Sequence, residues 1–130
     1  MGITQSINRI NFEKTQNIIK QNNNINFIII NTLNHNNQKC LIKNTILAED
    51  EETTINYYLK NNKNINILIY GENCCDKKLI EKFNQLKQLG FNNLYIYIGG
   101  LFEWLLLQDI FGEEEFPTTE KCLDILKYKG

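Results

Sequence analysis

The sequence predicts an α/β fold, a three-layer α/β/α domain around a central parallel sheet of about five strands. Three observations carry this expectation. Phe27-Ile28-Ile29-Ile30 and Ile65-Asn66-Ile67-Leu68-Ile69-Tyr70 are short, nearly continuous apolar runs, the pattern of strands covered on both faces. Between and after them lie stretches of helical period, and strands that alternate with helices pair in parallel through crossovers. Finally, Leu94-Tyr95-Ile96-Tyr97-Ile98 enters a Gly99-Gly100 turn, and an apolar helix carrying the only tryptophan, Trp104, follows.

Taken in order, residues 1–9 are polar enough to read as a flexible lead-in, with one domain over 10–130. Asn11 is placed to cap a helix over 12–21 that buries Phe12, Ile18 and Ile19. The strand of Phe27 follows. Cys40-Leu41-Ile42 is a shorter strand candidate. The acids at 49–52 suit the N-terminus of a helix reaching residue 59, where negative charge meets the helix dipole. After the strand at 65–70 comes a loop, then a helix over 76–89 with Leu79, Phe83 and Leu86 on one face and Leu89 a further candidate for it. Gly90 is its natural stop. The helix over 102–110 is apolar nearly all round and should be buried or covered. Pro117 breaks the chain, and Thr119 is placed to cap a last short helix over 120–127.

Composition excludes several function classes. The chain has 14 basic and 15 acidic residues and a net charge of −1, so nothing attracts nucleic acid electrostatically. Arg9 is the only arginine, which leaves bidentate recognition of phosphates or bases to lysines poorly suited to it. No apolar run approaches the roughly 18 residues that span a membrane. The polar first twenty residues lack the apolar segment of a secretory signal. A cytoplasmic protein is therefore expected. The 21 asparagines and 20 isoleucines reflect an AT-rich genome. The asparagine-rich stretches at 22–24, 34–37 and 61–64 fall between apolar segments, where asparagine tolerates left-handed backbone.

Cysteine usage adds a second bound. Cys40, Cys74, Cys75 and Cys122 show no C-x-x-C spacing, and His35 is alone in a polar loop, so neither a metal site nor a cofactor is expected. All four cysteines read as reduced thiols, with Cys40 and Cys122 as small core residues.

The order strand, loop, helix, Leu89-Gly90-Phe91, strand, Gly99-Gly100, three residues and Trp104 resembles the C-terminal half of a rhodanese-like domain, and the likeness extends over most of the chain. The resemblance implies a site in the loop leaving Tyr70. Active members carry a nucleophilic cysteine directly after that strand, held among inward-pointing loop N–H groups that stabilise a thiolate and its persulfide. Here that residue is Gly71. Asn31-Thr32-Leu33 stands where the family often has Asp-x-Arg, and residues 41–45 stand where it often has Ile-Pro-Gly-Ala. The resemblance thus implies a degenerate domain that binds or scaffolds a protein partner.

The loop reads Gly71-Glu72-Asn73-Cys74-Cys75-Asp76, about two residues longer than in common rhodaneses. A longer loop resembles that of the phosphatase relatives, which need arginine six positions after cysteine. Ile80 and Glu81 occupy those positions for Cys74 and Cys75, which excludes the chemistry. The rival reading makes Cys74, near the helix start, a persulfide carrier taking sulfur from thiosulfate or another small sulfane donor. Lys77 and Lys78 would favour its thiolate; Glu72 and Asp76 would oppose it. Cys74 and Cys75 also read as an incidental pair, one in the core and one at the surface, or as a redox-sensing pair.

Met1-Gly2-Ile3-Thr4-Gln5-Ser6 matches the myristoylation pattern at Gly2. One acyl chain without a polybasic patch implies only weak, reversible membrane association, as in a membrane-associated adaptor.

Overall fold

The computed structural model describes residues 8–21 and 27–130. Five strands form one sheet in the order β1-β5-β4-β2-β3, every pairing parallel. They are β1 (Asn8–Ile10), β2 (Phe27–Asn31), β3 (Thr45–Ile46), β4 (Asn66–Tyr70) and β5 (Leu94–Tyr97). Three helices lie between strands, α1 (Phe12–Lys20), α2 (Ala48–Asn61) and α3 (Lys77–Leu89), and α4 (Gly100–Phe111) follows β5. The expected architecture is the observed one.

Side-chain alternation divides the core in two. Ile29, Leu68, Tyr70 and Tyr97 face one side and pack with Ile18, Ile19, Leu101, Trp104 and Leu105 from α1 and α4. Ile28, Ile30, Ile67, Ile69, Leu94 and Ile96 face the other and pack with Ile55 of α2 and Leu79, Phe83 and Leu86 of α3. Both faces are apolar because both are covered, which is why these strands read as unbroken hydrophobic runs. Asn11 caps α1 by accepting from the Lys14 N–H. Gly90 ends α3 at φ 109°, a left-handed position that a β-carbon disfavours.

Several expectations are corrected. Asn8 and Arg9, expected in the lead-in, belong instead to Asn8–Ile10, which pairs with β5 at the sheet edge; three residues carry too little pattern to announce an edge strand. Residues 1–7, Gly2 among them, lie outside the described residues. The short strand after β2 is Thr45–Ile46, not 40–42. Ile42 instead makes one antiparallel bridge to Thr118, and its N–H donates to the buried Tyr70 hydroxyl at 3.1 Å. Asn44 turns the chain between them at φ 73°, the one non-glycine positive φ among the described residues. It lies outside the asparagine-rich stretches expected to supply such turns.

The last helix is only a 3₁₀ turn, Ile125–Tyr128. Thr119 caps nothing there; its hydroxyl donates to the Lys39 carbonyl and accepts from the Leu41 N–H. Nor is α4 fully covered, since Leu106, Ile110 and Phe111 are exposed. Cys40 and Cys122, expected to be reduced, are joined in a disulfide across a sequence separation of 82. Sequence spacing hides this proximity, because only the docking of the C-terminal segment brings the two Cα atoms to 5.8 Å. Among the described residues, no helix is long and apolar enough to cross a membrane.

Burial raises the pKa of the Tyr70 phenol, and burial followed by the Glu103 hydrogen bond raises that of Tyr97. Both stay protonated when the unfolded chain would ionise them near pH 10. The stabilisation is fully present below about pH 10 and is lost as pH rises above it. The urea midpoint should therefore fall between about pH 9 and about pH 11, and fall less in Tyr70→Phe. Equal slopes for the two proteins would refute this assignment.

Candidate functional site

In a parallel α/β sheet the loops at the carboxyl ends of the strands converge on one rim. Here these are the segments after β2 (Thr32 to Asn34), after β4 (residues 71–76) and after β5 (residues 98–100). The 71–76 loop is held from below by α4. The Gly71 and Glu72 carbonyls accept from the Leu101 and Phe102 N–H groups, each at 2.9 Å. Gly100 makes that approach feasible. Its φ is +69°, and a β-carbon there would lie 2.7 Å from the Gly71 carbonyl oxygen and 2.8 Å from the Asn73 nitrogen. Gly99, in contrast, has ordinary right-handed geometry at φ −64°, so the Gly-Gly turn needs its second glycine for conformation.

The loop interior belongs to Asp76. Its Oδ2 accepts from the Glu72 N–H at 3.2 Å and from the Thr32 hydroxyl at 2.9 Å. Its Oδ1 accepts from the Lys78 N–H at 2.9 Å and so caps α3. Asn73 takes the next amide, its Oδ1 accepting from the Cys75 N–H at 2.8 Å. Side-chain carboxylate and amide oxygens thus fill acceptor positions that an exogenous anion would take.

Gly71 shows what this filling displaces. Its φ is not positive, so a side chain meets no backbone strain there. A β-carbon at Gly71 would overlap Asp76 Oδ2 and lie 2.9 Å from both Asp76 Cγ and Thr32 Oγ1. The Asp76 carboxylate occupies the space into which a side chain at position 71 would project.

The other residues singled out in the sequence fall around this centre. Cys74 and Cys75 are both exposed on the outer turn, their sulfurs 3.7 Å apart. The Cys75 thiol pKa is raised, first by its hydrogen bond with Cys74 and then by the charge Cys74 can carry. Asn73 also reaches the C-terminal segment, donating from Nδ2 to the Tyr128 carbonyl at 2.8 Å. The buried Tyr128 lies where Glu72 contributes to raising its pKa, after burial itself. In place of a charged pair beside the loop stands a neutral one. Asn31 and Gln38 bond amide to amide at 2.8 and 3.1 Å, and Gln38 Oε1 also caps α2 through the Ala48 N–H.

Two participants were missed or misjudged in the sequence. Thr32 carried no signal beyond standing at the end of a buried strand. Asp76 read only as a charge opposing a thiolate, although an aspartate just before a helix is a common N-cap. His35 lies in a 3₁₀ turn at the mouth of a groove of about 650 Å³ between α2 and α3. Lys78 and Glu81 also line that groove, and a Glu51–Lys82 ion pair lies in its wall. Among the described residues, no three His, Cys, Asp or Glu side chains group as metal ligands.

Compared with known proteins, the chain matches no family model and no curated sequence. Solved structures do match it. The Alr3790 protein of Anabaena sp. superposes with a TM-score of 0.62 at 19% identity, over 91% of this chain and 84% of that one. The yeast protein Ygr203w, described as a protein tyrosine phosphatase of the rhodanese family, gives 0.63 at 13% identity over 95% and 99%. The Saccharomyces cerevisiae single-domain sulfurtransferase RDL2 gives 0.56 at 13% identity over 85% and 98%. The fold is rhodanese-like. At these identities the likeness is one of fold alone, and the two yeast proteins have different activities on it.

Proposed function

We propose that this is a catalytically degenerate rhodanese-like domain whose role is to bind a protein partner. The observation that carries the reading is the Asp76 carboxylate. It takes the Glu72 and Lys78 N–H groups and the Thr32 hydroxyl and fills the space beside Gly71. A persulfide carried there would place its negatively charged outer sulfur against a carboxylate, which disfavours it. The α2–α3 groove opens beside Thr32 and carries both acidic and basic side chains, a surface suited to a polar peptide segment. Cytoplasmic residence, and weak membrane contact through an acylated Gly2, are separate proposals; a myristoyl-sized mass gain on the chain isolated from its source tests the second.

The experiment is intact mass after incubation with thiosulfate, repeated after cyanide. The parent should gain no cyanide-labile sulfur. Gly71→Cys alone should also fail, because the new side chain meets Asp76. Gly71→Cys combined with Asp76→Ala frees the amides and the space together, and should gain one cyanide-labile sulfur. A sulfur gained by the parent and lost on Cys74→Ser would replace this reading with a sulfurtransferase using Cys74.

A further inference from the structure

The Cys74 and Cys75 thiols take no part in the filled cradle, yet the fold displays them together. Both are exposed, their sulfurs 3.7 Å apart. The turn beneath them is fixed on each side. The Cys75 N–H donates to Asn73 Oδ1, Asn73 Nδ2 donates to the Tyr128 carbonyl, and Asp76 caps the following helix. A ligand gripping both sulfurs therefore orders little that is not already ordered, which favours binding.

The separation selects among thiophilic centres. Two bonds of about 2.3 Å, the length of a zinc–thiolate bond, span 3.7 Å at an angle of about 107°. A linear two-coordinate ion would need sulfurs about 4.6 Å apart at that bond length. A tetrahedral ion fits the angle but needs four ligands. Among the described residues no third cysteine, histidine or carboxylate joins the pair. What remains is a pyramidal centre that asks only two ligands of the protein.

We propose that Cys74 and Cys75 form a bidentate dithiol site for a trivalent arsenical, the class of thiophile that carries one fixed substituent and exchanges its other bonds for two sulfurs. With phenylarsine oxide the arsenic–oxygen bonding is replaced by two arsenic–sulfur bonds. The two thiol protons leave with the oxygen as one water, and arsenic remains trivalent throughout. The site is independent of the cradle and of the partner-binding reading.

The test is titration of the full chain with phenylarsine oxide, read by intact mass and by protection of both cysteines from maleimide. One phenylarsenic group should add per chain with loss of one water. It should survive excess glutathione and be stripped by the dithiol dimercaptopropanol. Cys74→Ser and Cys75→Ser are surface changes, and each should weaken binding at least about tenfold, or ~1.4 kcal/mol. An adduct equally strong in either single variant, or one displaced by glutathione as readily as by the dithiol, would overturn the proposal. Undiminished binding in the Cys74→Ser/Cys75→Ser double variant would do the same, because Cys40 and Cys122 are held in a disulfide and offer no thiol.

Discussion

Trp104→Ala should destabilise the protein by about 3–5 kcal/mol, the range for removing a large buried aromatic. Trp104 is completely buried and stands between two rings, edge-on to Tyr97 at 5.9 Å and to Phe116 at 5.0 Å. Its indole N–H donates to the Pro117 carbonyl at 3.1 Å. The truncation therefore opens a cavity, removes two aromatic contacts and leaves a carbonyl short of its donor. That carbonyl also accepts from the Lys43 N–H, so the segment after β2 is tied to the same point. Against a domain stability of about 5–15 kcal/mol, the loss is a large fraction. Denaturant unfolding followed by circular dichroism measures it without the lost fluorophore. Trp104→Phe should cost less, keeping most of the packing and losing only the N–H bond and part of the ring. A loss under about 1 kcal/mol for Trp104→Ala would mean that this helix does not pack on the sheet as described.

Gly100→Ala should cost about 2–4 kcal/mol and should displace the site loop as well. About 1 kcal/mol comes from placing a β-carbon at left-handed φ. The remainder comes from overpacking, typically about 1–3 kcal/mol. The atoms met are backbone, the Gly71 oxygen and the Asn73 nitrogen and Cα, so no side chain can rotate out of the way. The loop must lift, stretching the bonds from the Leu101 and Phe102 N–H groups to the Gly71 and Glu72 carbonyls. Maleimide labelling of Cys74 and Cys75 should change together with stability. Gly99→Ala is the contrasting variant, because the nearest atoms its β-carbon meets all belong to the Glu103 side chain and its φ suits any residue. Equal losses in the two variants would refute the role given to Gly100.

These variants also separate what is local from what is not. Phe27–Asn31, Asn66–Tyr70 and Leu94–Tyr97 are legible as strands because each is covered on both faces and therefore apolar at nearly every position. Lys77–Leu89 is legible because its buried residues recur at helical spacing and Gly90 ends it. The Gly-Gly turn and Trp104 sit at fixed offsets from their strand, and so survive as a sequence pattern.

The site is different in kind. Gly71 and the loop after Tyr70 could be placed from the chain alone, since the loop follows a recognisable strand. What fills the loop could not. Asp76 meets the Thr32 hydroxyl from another strand, Asn73 meets the Tyr128 carbonyl, and Cys40 meets Cys122 across most of the chain. Each of these pairs is made by the stacking of layers and not by neighbouring residues, so no local period encodes it. The edge strand Asn8–Ile10 and the two-residue β3 are similarly silent, being too short for a period and defined only by the strand beside them. Sequence by itself determined the apolar strands, the helix between them and the position of Gly71 at the head of the loop after Tyr70. Tertiary structure alone decided that a carboxylate occupies that space, because only there do Gly71, Thr32 and Asp76 come within reach of one another.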